Sequence, residues 1–140
     1  MSLITIIDFP VLGDERGALV ALEANRHIPF EIKRVYYIYG TAQDAARGFH
    51  AHKALKQVAI VVRGSCRFVL DDGKKRVEVL LNNPAQGLLI ESFMWREMYD
   101  FSEDCVLMVF ADQVYDESDY IREYSTFIEA ANTHVYSSAK

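Results

Sequence analysis

Short apolar stretches separated by turn residues run through most of the chain, a pattern that predicts strands. Ile4 to Leu12 mixes β-branched and apolar residues and stops at the turn Gly13-Asp14-Glu15-Arg16-Gly17; Ala18 to Glu23 reads as a second short strand. In Ile32 to Gly40, alternation puts Arg34, Tyr36 and Ile38 on one face, and Lys33, Val35, Tyr37 and Tyr39 on the other. After a polar loop, Arg47 to His52 leads within a few residues to the apolar run Val58 to Val62 and ends at Gly64. Ser65 to Leu70 and Lys74 to Leu81 flank Asp71-Asp72-Gly73, the strongest hairpin signal in the chain, with a positive φ expected at its centre. Gln86 to Ser92, the aromatic-rich Phe93 to Phe101, and Cys105 to Ala111 follow. The last is apolar on both faces, as in a central strand or one at a subunit contact.

The period changes after Asp112. Tyr120, Ile121, Tyr124, Phe127, Ile128 and Ala131 fall at helical spacing, with capping and acidic groups at Asp116 to Asp119, so a helix is expected over about 116–131. His134 is expected beyond it in a terminal tail. The expectation is one domain over 1–140, all-β as a barrel or sandwich over about 1–112, with one C-terminal α-helix.

An apolar content of 51% in 140 residues fits a globular fold, and a net charge of −5 argues against a broad nucleic-acid surface while leaving room for a local anion pocket. Cys66 and Cys105 lie in apolar runs and are expected as buried, reduced thiols. Met1 to Thr5 has no basic segment leading into an apolar one, and no apolar run approaches a membrane span. A cytoplasmic protein with no membrane partner is expected.

The chemistry concentrates on His50 and His52, two of four histidines. On a strand, residues i and i+2 leave the same face. The pair is therefore either part of a metal site or a proton-transfer pair. Arg34 and Tyr36, sharing a face, suit an anion or sugar site, or simply pack at a sheet interface. Arg16 reaches into a cleft or remains a solvated turn residue. His27 is expected as an exposed loop residue.

The spacing His50-x-His52, Gln57, Gly64 resembles the first motif of the cupins, jelly rolls whose mouth holds a ligand or metal. Two departures matter. Gln57 stands where the motif has Glu, and Arg96 stands where the second motif has His. An arginine stays protonated and repels a divalent ion, so no metal and no other cofactor are expected.

Longer strings narrow the resemblance: Asp14 to Leu19, Ile28 to Ile38, Arg47 to Lys53, Gly64 to Gly73, Trp95 to Phe101 and Tyr115 to Arg122. Together they are similar to the dTDP-4-keto-6-deoxyglucose 3,4-ketoisomerases over nearly the whole chain. The resemblance implies a cupin jelly roll and a homodimer with exchanged strands. It also implies a metal-independent isomerase that moves a ketone from C4 to C3 of a dTDP-4-keto-6-deoxy sugar, in deoxyaminosugar, O-antigen or S-layer glycan biosynthesis. Carried over by position, His50, His52, Tyr36 and Arg96 are the catalytic candidates. Arg16, Arg34, Arg47, Gln57 and Tyr99 are the substrate-binding candidates. His50 is expected to abstract the C3 proton and His52 to bond the O3 and O4 oxygens. Arg96 and Tyr99 stand where some relatives have histidines. Arg16 matches one subgroup and Arg96 the other, which leaves a gluco or galacto product open. The rival readings are a sugar-nucleotide 3,5-epimerase and a non-catalytic sugar-nucleotide-binding cupin.

Overall fold

A computed structural model describes residues 3–138, with side chains as far as Thr133. In chain order the strands are β1 (Thr5–Asp8), β2 (Leu12–Asp14), β3 (Gly17–Leu19), β4 (Arg34–Ile38), β5 (Arg47–His52) and β6 (Gln57–Arg63). They continue with β7 (Cys66–Asp71), β8 (Arg76–Leu81), β9 (Gln86–Ile90), β10 (Trp95–Tyr99), β11 (Val106–Ala111) and β12 (Tyr120–Ile121), before helix α1 (Tyr124–Ser138). One sheet has the order β1-β9-β6-β11-β4 and the other β12-β5-β10-β7-β8, while β2 and β3 form a separate two-stranded sheet. Every pairing between these strands is antiparallel, and the two large sheets form a cupin jelly roll.

Alternation explains the layers. On β6, Ala59 and Val61 join Phe68, Leu70, Leu88, Leu107 and Val109 in the core between the sheets. Val58 and Ile60 point the other way, against Phe9, Ile28, Phe30 and Phe110, so the segment before β4 covers the outer face of that sheet. The doubly apolar β11 is accordingly central, paired with β6 on one side and β4 on the other. Cys66 and Cys105 are buried and free. At the β7–β8 turn, Gly73 has φ +96°, and a Cβ there would lie 3.2 Å from the Ala131 Cβ. Helix α1 therefore packs directly on the hairpin, and its Phe127 and Ala131 are buried with Trp95 and Ala51.

The C-terminal region departs from its sequence pattern. Asp116 caps a single 3-10 turn over Glu117–Asp119, accepting a hydrogen bond from the Ser118 amide, and the helix starts only at Tyr124. Tyr120 and Ile121, expected in a helix over about 116–131, form β12 instead, with Tyr120 opposite His52 and Ile121 opposite Ala51. The physical reason is long-range. The Lys53 amide donates to the Asp119 carbonyl, and the Asp119 carboxylate accepts from the Ala54 and Leu55 amides. These bonds hold the segment at the edge of β5. The helix backbone includes position 134, but the side chain of His134 lies outside the described residues. His27 is half-buried, and its Nδ1 accepts a hydrogen bond from the Glu23 amide at 2.9 Å, so it braces its own loop.

Candidate active site

The two sheets part at the end of the roll where β4, β5, β10 and β12 meet. β5 lies against β10 with His50 opposite Arg96 and Gly48 opposite Glu97, so Phe49 is the extra residue of a β-bulge. The bulge needs positive φ at both Gly48 (+91°) and Phe49 (+58°). A Cβ at Gly48 would lie 2.9 Å from the Arg96 carbonyl oxygen, so only glycine lets β5 approach β10 this closely. The bulge leaves Phe49 exposed and aims His50 inward.

A cavity of about 340 Å³ opens here, lined by Arg34, Tyr36, Arg47, His50, Tyr120 and Arg122 among others. A narrow void of about 10 Å³ lies next to it, with Tyr36, His50, Gln57 and Arg96 among its walls. His50 is the imidazole that lines this space. His52 is fully buried, its ring centroid 4.9 Å from that of His50 at a near-perpendicular 88° and 4.3 Å from that of Tyr120.

A polar chain forms the far wall. The Gln57 Nε2 donates to the Tyr36 hydroxyl at 3.2 Å, and its Oε1 accepts from Arg96 Nη1 at 2.5 Å. The Arg96 Nε and Nη2 both donate to the Met94 carbonyl. Arg96 is thus a buried cation with neutral hydrogen-bond partners. Burial lowers its pKa to about 10, which still leaves it protonated near neutrality. The positions that hold a metal's remaining ligands in the cupin motif are taken by an amide and a guanidinium bonded to each other. These residues do not fit a divalent ion.

The same charge acts on the histidines. Burial first, then Arg96, pushes His50 down to about 3, while a hydrogen bond to the Gly48 carbonyl opposes the shift. His52 is likewise pushed to about 3, by burial and then by Arg96, Arg34 and Arg122. Burial, against the opposing pull of Arg96, raises the Tyr36 hydroxyl above its usual value, so it stays protonated.

Arg34 sits between two rings, its guanidinium carbon 5.4 Å from the Tyr36 centroid and 5.7 Å from that of Tyr115. Its Nε and Nη2 are buried without a hydrogen-bond partner among the described residues. Arg122 lies 4.2 Å over the Tyr120 ring and is paired with Glu117.

The structure therefore brings together His50, His52, Tyr36, Arg96, Gln57, Arg34 and Arg47. It does not bring in Tyr99 or, within this chain, Arg16. Tyr99 lies on the opposite face of β10 from Arg96, and its hydroxyl donates to Glu97 at 2.5 Å. Arg16 has an 86% exposed side chain at the tip of the β2–β3 hairpin, paired with Asp14. Asp119, Tyr120 and Arg122 are the residues that the helical periodicity concealed. Their signal was the string Tyr115 to Arg122, dense in charge and aromatics ahead of the true helix.

A family model described as "FdtA: WxcM-like, C-terminal" matches residues 2–132. The TDP-4-oxo-6-deoxy-alpha-D-glucose-3,4-oxoisomerase of Aneurinibacillus thermoaerophilus is 54% identical over 122 residues, which cover 87% of this chain and 88% of that protein. The chain belongs to the FdtA-like family of sugar 3,4-ketoisomerases. Among solved structures, this FdtA-like chain superposes on the 3,4-ketoisomerase QdtA from Thermoanaerobacterium thermosaccharolyticum, in complex with TDP. The TM-score is 0.91 at 43% identity, covering 94% of this chain and 96% of that one. A 3,4-ketoisomerase from Helicobacter canadensis gives a TM-score of 0.89 at 49% identity, covering 92% and 97%. The FdtA-like fold thus belongs to a family of isomerases.

Proposed function

We propose that this protein converts dTDP-4-keto-6-deoxyglucose to a dTDP-3-keto-6-deoxyhexose, with His50 as the base. The observation that carries the reading is the His50 imidazole facing a cavity lined by Arg34, Arg47 and Arg122, with the buried Arg96 opposite it on the neighbouring strand.

In the reaction, the bare nitrogen of His50 takes the C3 proton. The C–H electron pair becomes the C3–C4 double bond of an enediolate, and the C4 carbonyl electrons move onto O4. A proton passes from O3 to O4. His50 then returns its proton to C4, leaving a ketone at C3. Arg96 sits beside the base and favours its neutral form before reaction and the enediolate during it. Tyr36, a protonated phenol, supplies a donor on the opposite wall. Arg34, with unpartnered buried donors, and Arg47 suit the diphosphate oxygens. An imidazole held near 3 is a weak base in the empty site. The charge of a bound diphosphate and of the growing enediolate offsets Arg96, Arg34 and Arg122 and brings His50 towards the neutral range that base catalysis needs.

Arg16 acts from a second copy of the chain. Among the described residues the β2–β3 hairpin pairs with no other strand, and it exposes Leu12 and Leu19, as expected of an arm exchanged in a homodimer. The activity belongs to cytoplasmic synthesis of deoxyaminosugars for lipopolysaccharide O-antigen or S-layer glycans.

In deuterated water, the wild-type protein should exchange hydrogen at C3 of dTDP-4-keto-6-deoxyglucose, and His50→Asn should not. Exchange by the variant at the wild-type rate removes His50 as base. A product inverted at C3 and C5 with its ketone still at C4 replaces the isomerase by an epimerase.

A further inference from the structure

His52 faces two ways. Its Nδ1 lies 3.1 Å from Asp119 Oδ2, in a pair whose side chains are 0% and 10% exposed. Its Nε2 is buried with no hydrogen-bond partner among the described residues. A carboxylate only accepts hydrogen bonds, so the proton on this neutral ring resides on Nδ1 and Nε2 carries the lone pair. Asp119 is itself immobilised. Its Oδ1 accepts from the Ala54 amide at 2.9 Å and its Oδ2 from the Leu55 amide at 3.3 Å, both just past the end of β5. One carboxylate thus fixes the β12 edge, the end of the histidine strand and the ring of His52. A buried acceptor without a partner is disfavoured, so a bare Nε2 at this depth calls for a functional account.

We infer that Asp119 is a positioning residue for the isomerisation: it locks His52 in the Nδ1–H tautomer and so keeps Nε2 bare, ready to accept the hydroxyl proton that moves between O3 and O4. This rests on the ketoisomerase reading above and adds a third member to the histidine pair. His52 then relays oxygen-bound protons while His50 handles the carbon-bound one. The division follows from their surroundings, since His50 lines the cavity and His52 is tied to a carboxylate. Asn at position 119 that keeps its oxygen on the Ala54 amide, the shorter of the two backbone bonds, gives up the Leu55 bond and puts an NH₂ against the His52 Nδ1. That group donates, and the ring must switch to the Nε2–H tautomer, in which it can no longer accept from a hydroxyl.

The test uses ¹⁵N-histidine-labelled protein, with His52 assigned from the signals lost in His52→Asn. In the wild type at neutral pH, His52 should show a protonated Nδ1 and a bare Nε2; Asp119→Asn should reverse them. The same variant should lose about 10²–10⁴-fold in kcat, by analogy with tautomer-reversing Asp→Asn changes, while KM for the sugar nucleotide stays within about threefold. A role confined to anchoring β12 would lower the melting temperature without moving the tautomer. A wild-type spectrum with Nε2 protonated overturns the inference even if the variant fails to fold. So does a folded Asp119→Asn protein with unchanged kcat. Wild-type protein that neither exchanges C3 hydrogen nor isomerises the sugar overturns the function itself, a different result from an active wild type with an equally active variant.

Discussion

Arg96 Nη1 donates to Gln57 Oε1 at 2.5 Å across the gap between β10 and β6. This bond joins the two residues that replace the cupin motif's other ligands, and it is the one the buried Nη1 makes. Gln57→Met keeps the volume and removes the acceptor. The variant should be about 1–3 kcal/mol less stable, the cost of leaving a buried donor unmet. Urea unfolding reads this directly; an unchanged midpoint would mean that the guanidinium finds another partner.

Metal removal should have no effect on turnover. Dialysis against a strong chelator, followed by assay in chelator-treated buffer, should leave kcat unchanged. Loss of activity restored by a divalent ion would overturn the reading of Gln57 and Arg96 as incompatible with a metal.

The pH dependence follows from the depressed histidines. His50 is held at about 3 in the fold, below an unfolded value of about 6.5. The unfolded chain therefore binds a proton in that window that the folded chain does not. The stability from the neutral ring is fully present above about 6.5 and is lost as pH falls towards 3, by at most about 1.4 kcal/mol per pH unit. Melting temperature should fall with acidification more steeply for the wild type than for His50→Asn; parallel curves would contradict the shift. With His50 as the proposed base its active form is the neutral one, so kcat/KM should stay flat below about pH 6.5 before its acid limb appears.

Gly48→Ala tests the bulge that aims His50 into the cavity. With φ +91° and a carbonyl oxygen 2.9 Å from the new Cβ, the substitution strains the backbone and pushes β5 from β10. A stability loss of about 1–3 kcal/mol is expected. Because His50 lies two residues on, kcat should fall while the melted fraction at the assay temperature stays small. Full activity in a strained but folded variant would separate the bulge from catalysis.

Much of this site can be read locally. Alternation along Ile32 to Gly40 puts Arg34 and Tyr36 on one face, and both line the cavity. The same rule, applied to Trp95–Tyr99, separates Arg96 from Tyr99 and would have kept Tyr99 out of the site. The helical reading of Tyr120 and Ile121 had no such local remedy. Their spacing to Tyr124 and Phe127 fits a helix as well as it fits a strand followed by one.

By itself the sequence determined the strand architecture, the His50–His52 pair and the loss of metal ligands at Gln57 and Arg96. These follow from side-chain period and from the identity of single groups, and both are properties of a short stretch of chain. Only the tertiary structure decided that His50 faces the cavity, that His52 lies behind it on Asp119, and that β12 closes the histidine strand. Those outcomes depend on hydrogen bonds between residues more than sixty positions apart, such as Ala54 to Asp119. Backbone donors carry no side-chain signature, so a periodicity in the sequence could not announce which distant carboxylate would satisfy them.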